Sequence, residues 1–106
     1  MMNIQIQTRN GSLMNSTYAK IAEKVEKLGR FNFRIENVEV VIDLDRASTP
    51  RVEIFVMTEY KRLFRSEYMS DDLFGCVDLA TEKVAQQLRR FKDKRSDNRI
   101  RGAVPV

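Results

Sequence analysis

Residues 70–94 read SDDLFGCVDLATEKVAQQLRRFKDK, and the reading of this stretch decides the fold. Leu73, Val77, Ala80, Val84, Leu88 and Phe91 recur at steps of three and four, which puts them on one face of a helix. Ser70, Asp71 and Asp72 precede that stripe. Their oxygens can accept hydrogen bonds from the free N–H groups of the first turn, and the carboxylates suit the positive end of the helix dipole. Lys83, Arg90 and Lys94 lie together on another face, with Gln87 between them. A helix that anchors by one face and shows cations on another fits a domain that grips a polyanion.

The apolar stripe needs a surface to cover, and the upstream sequence supplies a sheet. Asn3 to Thr8 alternates around Ile4 and Ile6 as a short strand, and Asn10-Gly11 marks a turn. Tyr18, Ile21, Ala22, Val25 and Leu28 form a second helix stripe, with Asn15 or Ser16 as the expected cap and Gly29 as the expected stop. Val38, Val40, Ile42 and Leu44 have the period of a strand, as do Val52, Ile54 and Val56. Arg46 to Pro50 is a loop and Glu59 to Arg62 a tight turn. A fourth strand spans Leu63 to Tyr68; its register is open, because Leu63 and Phe64 cannot both face the core.

The order is therefore β-α-β-β-β-α. Each strand has one apolar face and each helix one apolar stripe. An α+β fold satisfies both, with two helices packed on one face of a four-stranded sheet, as in double-stranded-RNA-binding domains. The last three strands form an antiparallel meander, and the first pairs in parallel with one of them after the helix crossover. The domain is expected to cover residues 1–94. Residues 95–106 show no periodicity and are expected to form a flexible basic tail.

The chain has 106 residues, 32% of them charged, and a net charge of +4. From Lys83 onward eight Lys or Arg stand against two Asp, a net of +6, which leaves −2 for residues 1–82. This asymmetry points to an acidic partner, nucleic acid first, with a merely solvated helix end as the plain alternative. The first residues lack a basic segment followed by an apolar one, and no apolar run reaches the roughly 20 residues that span a bilayer, so a cytoplasmic protein with no membrane partner is expected. Cys76 is the single cysteine and reads as a packed thiol.

Little points to catalysis. There is no histidine, no Gly-rich phosphate loop and no Cys-x-x-Cys pair. Asp43, Asp45 and Glu39 share a strand face, but hard-cation sites need more converging oxygens, so no metal, cofactor or small-molecule substrate is expected. The cations are better organised. Lys20, Lys24 and Lys27 form a row on the first helix, partly offset by Glu23 and Glu26 and extended by Arg30 and Arg34. If both helices lie on one sheet face, the two basic rows can flank a groove over successive phosphates. Few aromatics interleave with them, which favours backbone grip over base reading. Phe31 and Phe33 are the aromatics that could stack on bases, with core or rim packing as their simpler role.

Residues 72–94 also resemble the last helix of the ribosome hibernation promoting factors, also labelled ribosome-associated inhibitors or sigma-54 modulation proteins. The resemblance rests on Asp72, Phe74, Gly75, Cys76, Val77 and Asp78, then Lys83, Val84, Gln87 and Leu88, then Lys92 and Lys94. Residues 35–42 (IENVEVVI) are similar to the family's second strand, and residues 24–30 (KVEKLGR) to the end of its first helix. The resemblance implies the same fold and a short form without the extra dimerisation domain of long members. It implies binding to the small ribosomal subunit and its RNA, in the channel for messenger and transfer RNA, with translation stopped while the protein is bound. Carried onto this chain, the RNA-binding residues are Lys83, Arg90, Lys92 and Lys94, then Lys24, Lys27 and Arg30. Phe74 stands where Tyr is usual, Gln86 where a basic residue is common, and the turn 59–61 lacks the common Gly.

Three functions follow. The first is a ribosome-binding, non-enzymatic translation inhibitor. The second is a regulator that binds a protein such as an alternative sigma factor. The third is a generic double-stranded RNA binder. A monomer is expected, because the helix stripes are used up on the sheet.

Overall fold

The structure is a computed structural model. It describes the backbone of residues 2–31 and 34–103, and side chains as far as Lys92 except that of Phe31. Strand β1 (Asn3–Arg9) leads to helix α1 (Asn15–Val25), which tightens into a 3-10 segment (Glu26–Phe31). Strands β2 (Ile35–Asp43), β3 (Arg51–Thr58) and β4 (Leu63–Met69) follow, and then helix α2 (Leu73–Ala103). The sheet order is β1-β2-β3-β4. β1 pairs in parallel with β2, with Ile4 opposite Val38 and Ile6 opposite Val40, and the other pairings are antiparallel.

The period of two sets the register. Val38, Val40, Ile42, Val52, Ile54 and Val56 are fully or almost fully buried beneath the helices. They meet Ile21, Val25 and Leu28 from the first helical stretch and Val77, Ala80, Val84 and Leu88 from α2. In β4 Phe64 takes the core face opposite Val56, and Leu63 is 54% exposed. That resolves the open register, since an aromatic ring fills the sheet corner under Phe91.

Several hydrogen bonds fix the direction of α2. Ser66 Oγ donates to the Ala80 carbonyl at 2.7 Å, and Gln87 Nε2 donates to the Arg65 carbonyl at 2.8 Å. Ser70 Oγ lies 3.0 Å from the buried Cys76 Sγ. The helix therefore runs antiparallel to β4. Asp72 caps it, accepting the Gly75 N–H on Oδ1 at 3.0 Å, and Gly75 has no Cβ to crowd that carboxylate.

Other helix ends differ from expectation. Neither Asn15 nor Ser16 caps α1. Met14 occupies the cap position without a side-chain hydrogen bond, and its carbonyl accepts from Thr17 and Tyr18. Gly29 does not end the helix in a left-handed turn, because the chain tightens three residues earlier, at Glu26, and keeps Leu28 in the core. Leu44 falls just past β2, with its N–H on the Arg9 carbonyl at 2.9 Å. α2 does not stop at Lys94 but continues to Ala103. The segment 95–101 holds no proline or glycine, so nothing local breaks the helix once α2 has been nucleated by packing. Residues 104–106 of the expected tail lie outside the described residues.

The β3–β4 turn is held tightly. Thr58 donates both its N–H and its hydroxyl to the Arg62 carbonyl, at 3.1 and 3.2 Å, and Lys61 N–H donates to Thr58 at 3.0 Å. Lys61 adopts φ of +61°. A left-handed backbone costs a residue with a Cβ about 1–2 kcal/mol, more than the backbone entropy a glycine there would lose on folding. Lys61→Gly is therefore expected to stabilise the domain by about 0.5 kcal/mol. Urea unfolding with an unchanged slope and a higher midpoint is the outcome expected; a lower midpoint would show that Lys61 contributes through its contacts instead.

Candidate nucleic-acid interface

The topology gathers cations at one end of the molecule. The starts of β2 and β4 and the end of β3 share that end, because Ile35 pairs with Thr58 and Leu63 with Met57. The 3-10 segment delivers the chain from α1 to β2, so Lys27, Arg30 and Arg34 arrive there. α2, antiparallel to β4, brings Arg89, Arg90 and Lys92 to the same end. All six are exposed. The charge asymmetry of the sequence becomes a basic pole.

Between the first helical stretch and α2 lies an open groove of about 470 Å³, lined by Lys24, Lys27, Arg30, Asp78, Thr81, Glu82, Ala85 and Arg89. Thr81 Oγ1 is buried in its wall, with no hydrogen-bond partner among the described residues. Lys24 is pinned: its Nζ donates to both carboxylate oxygens of Asp78, at 2.9 and 3.0 Å. It also lies 5.9 Å from the centroid of the Phe74 ring, with Lys20 at 5.1 Å. Phe74 thus orients two ammonium groups of α1 by cation–π attraction, which the ring provides without the hydroxyl of a Tyr.

The expected basic residues fall into two sets. Lys24, Lys27 and Arg30 line the groove. Lys83 does not; its Nζ lies 5.5 Å over the Tyr68 ring, on the outer side of α2 above β4. Arg90, seven residues on, shares that side. Lys92 follows Phe91 at the basic pole. The side chain of Lys94 lies outside the described residues, as do those of Phe31 and Phe33. Arg89, absent from the sequence-based set, completes the groove. Its signal was position rather than type: it sits four residues after Ala85 and eleven after Asp78, on the face turned to α1.

The opposite sheet face is differently built. Arg65 donates to Glu53 at 2.6 Å and to Glu67 at 3.1 Å. Arg51 stands 3.5 Å from Asp43 and 3.7 Å from Glu67. Asp43 also accepts from Asn10 at 2.9 Å and from the Asp45 N–H at 3.0 Å. These bonds, Asn10 first, hold its carboxyl below the ordinary 3.8. The associated stability is present above that value and is lost as pH falls through the depressed pKa. The oxygens of Asp43 are thus spent on protein donors. Among the described residues no three acidic, His or Cys side chains converge as a metal site.

A sequence profile of the family described as Sigma 54 modulation protein / S30EA ribosomal protein matches residues 4–96. The chain belongs to this family. The "Ribosome hibernation promotion factor" of Lactococcus lactis subsp. cremoris is 26% identical over 107 residues, covering all of this chain and 57% of that protein. The protein of the same name from Staphylococcus aureus is 26% identical over 95 residues, covering 89% of this chain and 50% of its own length. The chain thus spans about half the length of these curated relatives. The crystal structure of the Thermus thermophilus Protein Y N-terminal domain superposes with a TM-score of 0.73 at 27% identity, covering 85% of this chain and 99% of that domain. A ribosomal subunit interface protein from Coxiella burnetii shares the fold, with a TM-score of 0.74 at 20% identity. No helix among the described residues is long and apolar enough to cross a membrane.

The Lys24–Asp78 clasp withholds one cation from the groove. Its partners are partly exposed, at 23% and 52% of their side chains, so the pair adds at most about 1 kcal/mol of stability. Asp78→Asn is expected to leave the fold intact and to tighten binding to heparin. The log–log salt dependence should steepen by about one, for one more engaged cation. Isothermal titration at several salt concentrations gives the slope, and an unchanged slope would place Lys24 outside the polyanion path.

Proposed function

We propose that this chain is a ribosome-binding module of a hibernation factor, which stops translation without catalysis by occupying the messenger and transfer RNA channel of the small subunit. The observation that carries this reading is the basic pole, where the inter-helix groove and the ends of both helices present cations together. Family membership supports the ribosome as partner, and with it the cytoplasm as the place of action. The physics supplies the mode: Lys and Arg on packed elements bind phosphates with little ordering entropy, and the grip is largely indifferent to sequence. In this reading Lys27, Arg30 and Arg89 hold the backbone at the groove, and Lys24 joins them where Asp78 releases it. Lys83, Arg90 and Lys92 hold it along the outer side and end of α2, and Lys94 stays in the set on the resemblance alone. The isolated chain acts as a monomer.

The test combines sedimentation with cell-free translation. Added protein is expected to pellet with small subunits and to inhibit translation at a stoichiometry near that of ribosomes. Excess messenger, initiator transfer RNA and initiation factors should relieve the block. Lys83→Glu with Arg90→Glu, and separately Lys27→Glu with Arg30→Glu, should each weaken ribosome binding by at least about tenfold and flatten the salt dependence. Both pairs are exposed and off the core stripe, so circular dichroism and stability should change little, within about 0.5 kcal/mol per site. Tight ribosome binding that displaces neither RNA ligand would exclude channel occupancy. No ribosome binding, with capture of a sigma factor instead, would move the assignment to the protein-regulator function in the family's description.

A further inference from the structure

We infer that the β3–β4 turn and the adjoining turn of α2 form a stacking site for an unpaired RNA base. Three rings step outward from the core there. Phe64 is buried, Phe91 is half-buried and packs edge-on against it at 5.5 Å between centroids, and Tyr60 packs against Phe91 at 6.1 Å. Tyr60 is 41% exposed. The Arg62 guanidinium lies 5.0 Å from the Phe91 centroid and 5.5 Å from that of Phe64. The cluster joins residues 60–64 to residue 91, so the sequence shows it nowhere as a contiguous motif.

Phe64 closes the core at this corner, and Tyr60 lies outside it with 41% of its surface exposed. Its setting is cationic: Lys61, Arg62 and Lys92 are exposed around the rings, against Glu59 in the turn and Glu36, which pairs with Lys61 at 3.7 Å. An apolar peptide gains nothing from those charges. A nucleobase does, because its own π face stacks on Tyr or on a guanidinium plane while the flanking phosphates meet the cations. The base must be unpaired, since a double helix hides its base faces. The turn is also preorganised, with Thr58 and Arg62 locked by two hydrogen bonds, so the platform loses little freedom on binding. The inference rests on the ribosome-binding reading for the kind of partner, and it adds a base contact to what is otherwise a phosphate grip.

The test uses the full chain and short single-stranded oligoribonucleotides with 2-aminopurine at one position, alongside strands abasic at that position. The wild-type chain is expected to quench 2-aminopurine fluorescence and to bind the strand with the base roughly tenfold more tightly than the abasic one. Tyr60→Leu keeps bulk and removes the π face; Arg62→Lys keeps charge and removes the planar fork. The two together should abolish quenching and bring the strands to parity, with unfolding by urea unchanged. Equal affinity of the wild type for both strands, or unaltered quenching by the double variant, overturns the inference. Small-subunit sedimentation separates the two claims. Quenching without ribosome binding sustains the stacking site and sinks the hibernation reading; ribosome binding without quenching does the reverse.

Discussion

The antiparallel seating of α2 on β3 and β4 is the constraint on which the rest depends. The apolar stripe from Leu73 to Phe91 admits either helix direction on a flat apolar sheet. The caps and side-chain bonds do not: Ser70 with Cys76, Ser66 with Ala80, and Gln87 with Arg65 tie the helix start to the end of β4 and its later turns to the strand's start. Because β4 begins where β3 ends and β2 starts, this one direction brings the basic end of α2 to the 3-10 segment after α1. Reversed, the same helix would carry Arg89, Arg90 and Lys92 away from Lys27, Arg30 and Arg34.

That constraint also divides what the sequence reveals from what it hides. Burial writes a period into a strand or helix, so the β-α-β-β-β-α order, the parallel first strand and the core residues of α2 are all readable before any coordinates. Where burial stops, the signal stops. The helix beyond Phe91 has no stripe to announce it, yet its backbone continues to Ala103. The start of α1 escapes for a related reason: Met14 caps with its carbonyl alone, and a carbonyl has no residue signature. Gly29 carries such a signature and does not act on it, since the demand to bury Leu28 outweighs the local preference of glycine for a left-handed stop.

The interface was legible as charge and illegible as shape. Counting Lys and Arg along each helix finds the two rows, but their azimuth relative to one another is a tertiary fact. Lys83 sits over Tyr68 on the outer side of α2, while the inner side, facing α1, is served by Arg89. The aromatic cluster at Tyr60 and Phe91 is likewise invisible in sequence, because its members are brought together by the hairpin and the helix from thirty residues apart.

Net charge understates how directional this domain is. Arg51 and Arg65 count fully in the total of +4, but on the outer sheet face each is matched by Glu53, Glu67 or Asp43 at ion-pair distance. Paired charges of this kind cancel within a few ångströms and leave little field beyond a Debye length of about 8 Å. At the pole two of the acids are themselves engaged, Asp78 by Lys24 and Glu36 by Lys61. The long-range field therefore emerges from one end. If the partner is a polyanion, as the proposed function has it, such a field would turn it toward that end before contact and raise the productive encounter rate. On the proposed function the acidic side chains of the sheet would serve binding without touching a ligand: by neutralising Arg51 and Arg65 they remove a second basic face on which an RNA backbone could settle in the wrong orientation.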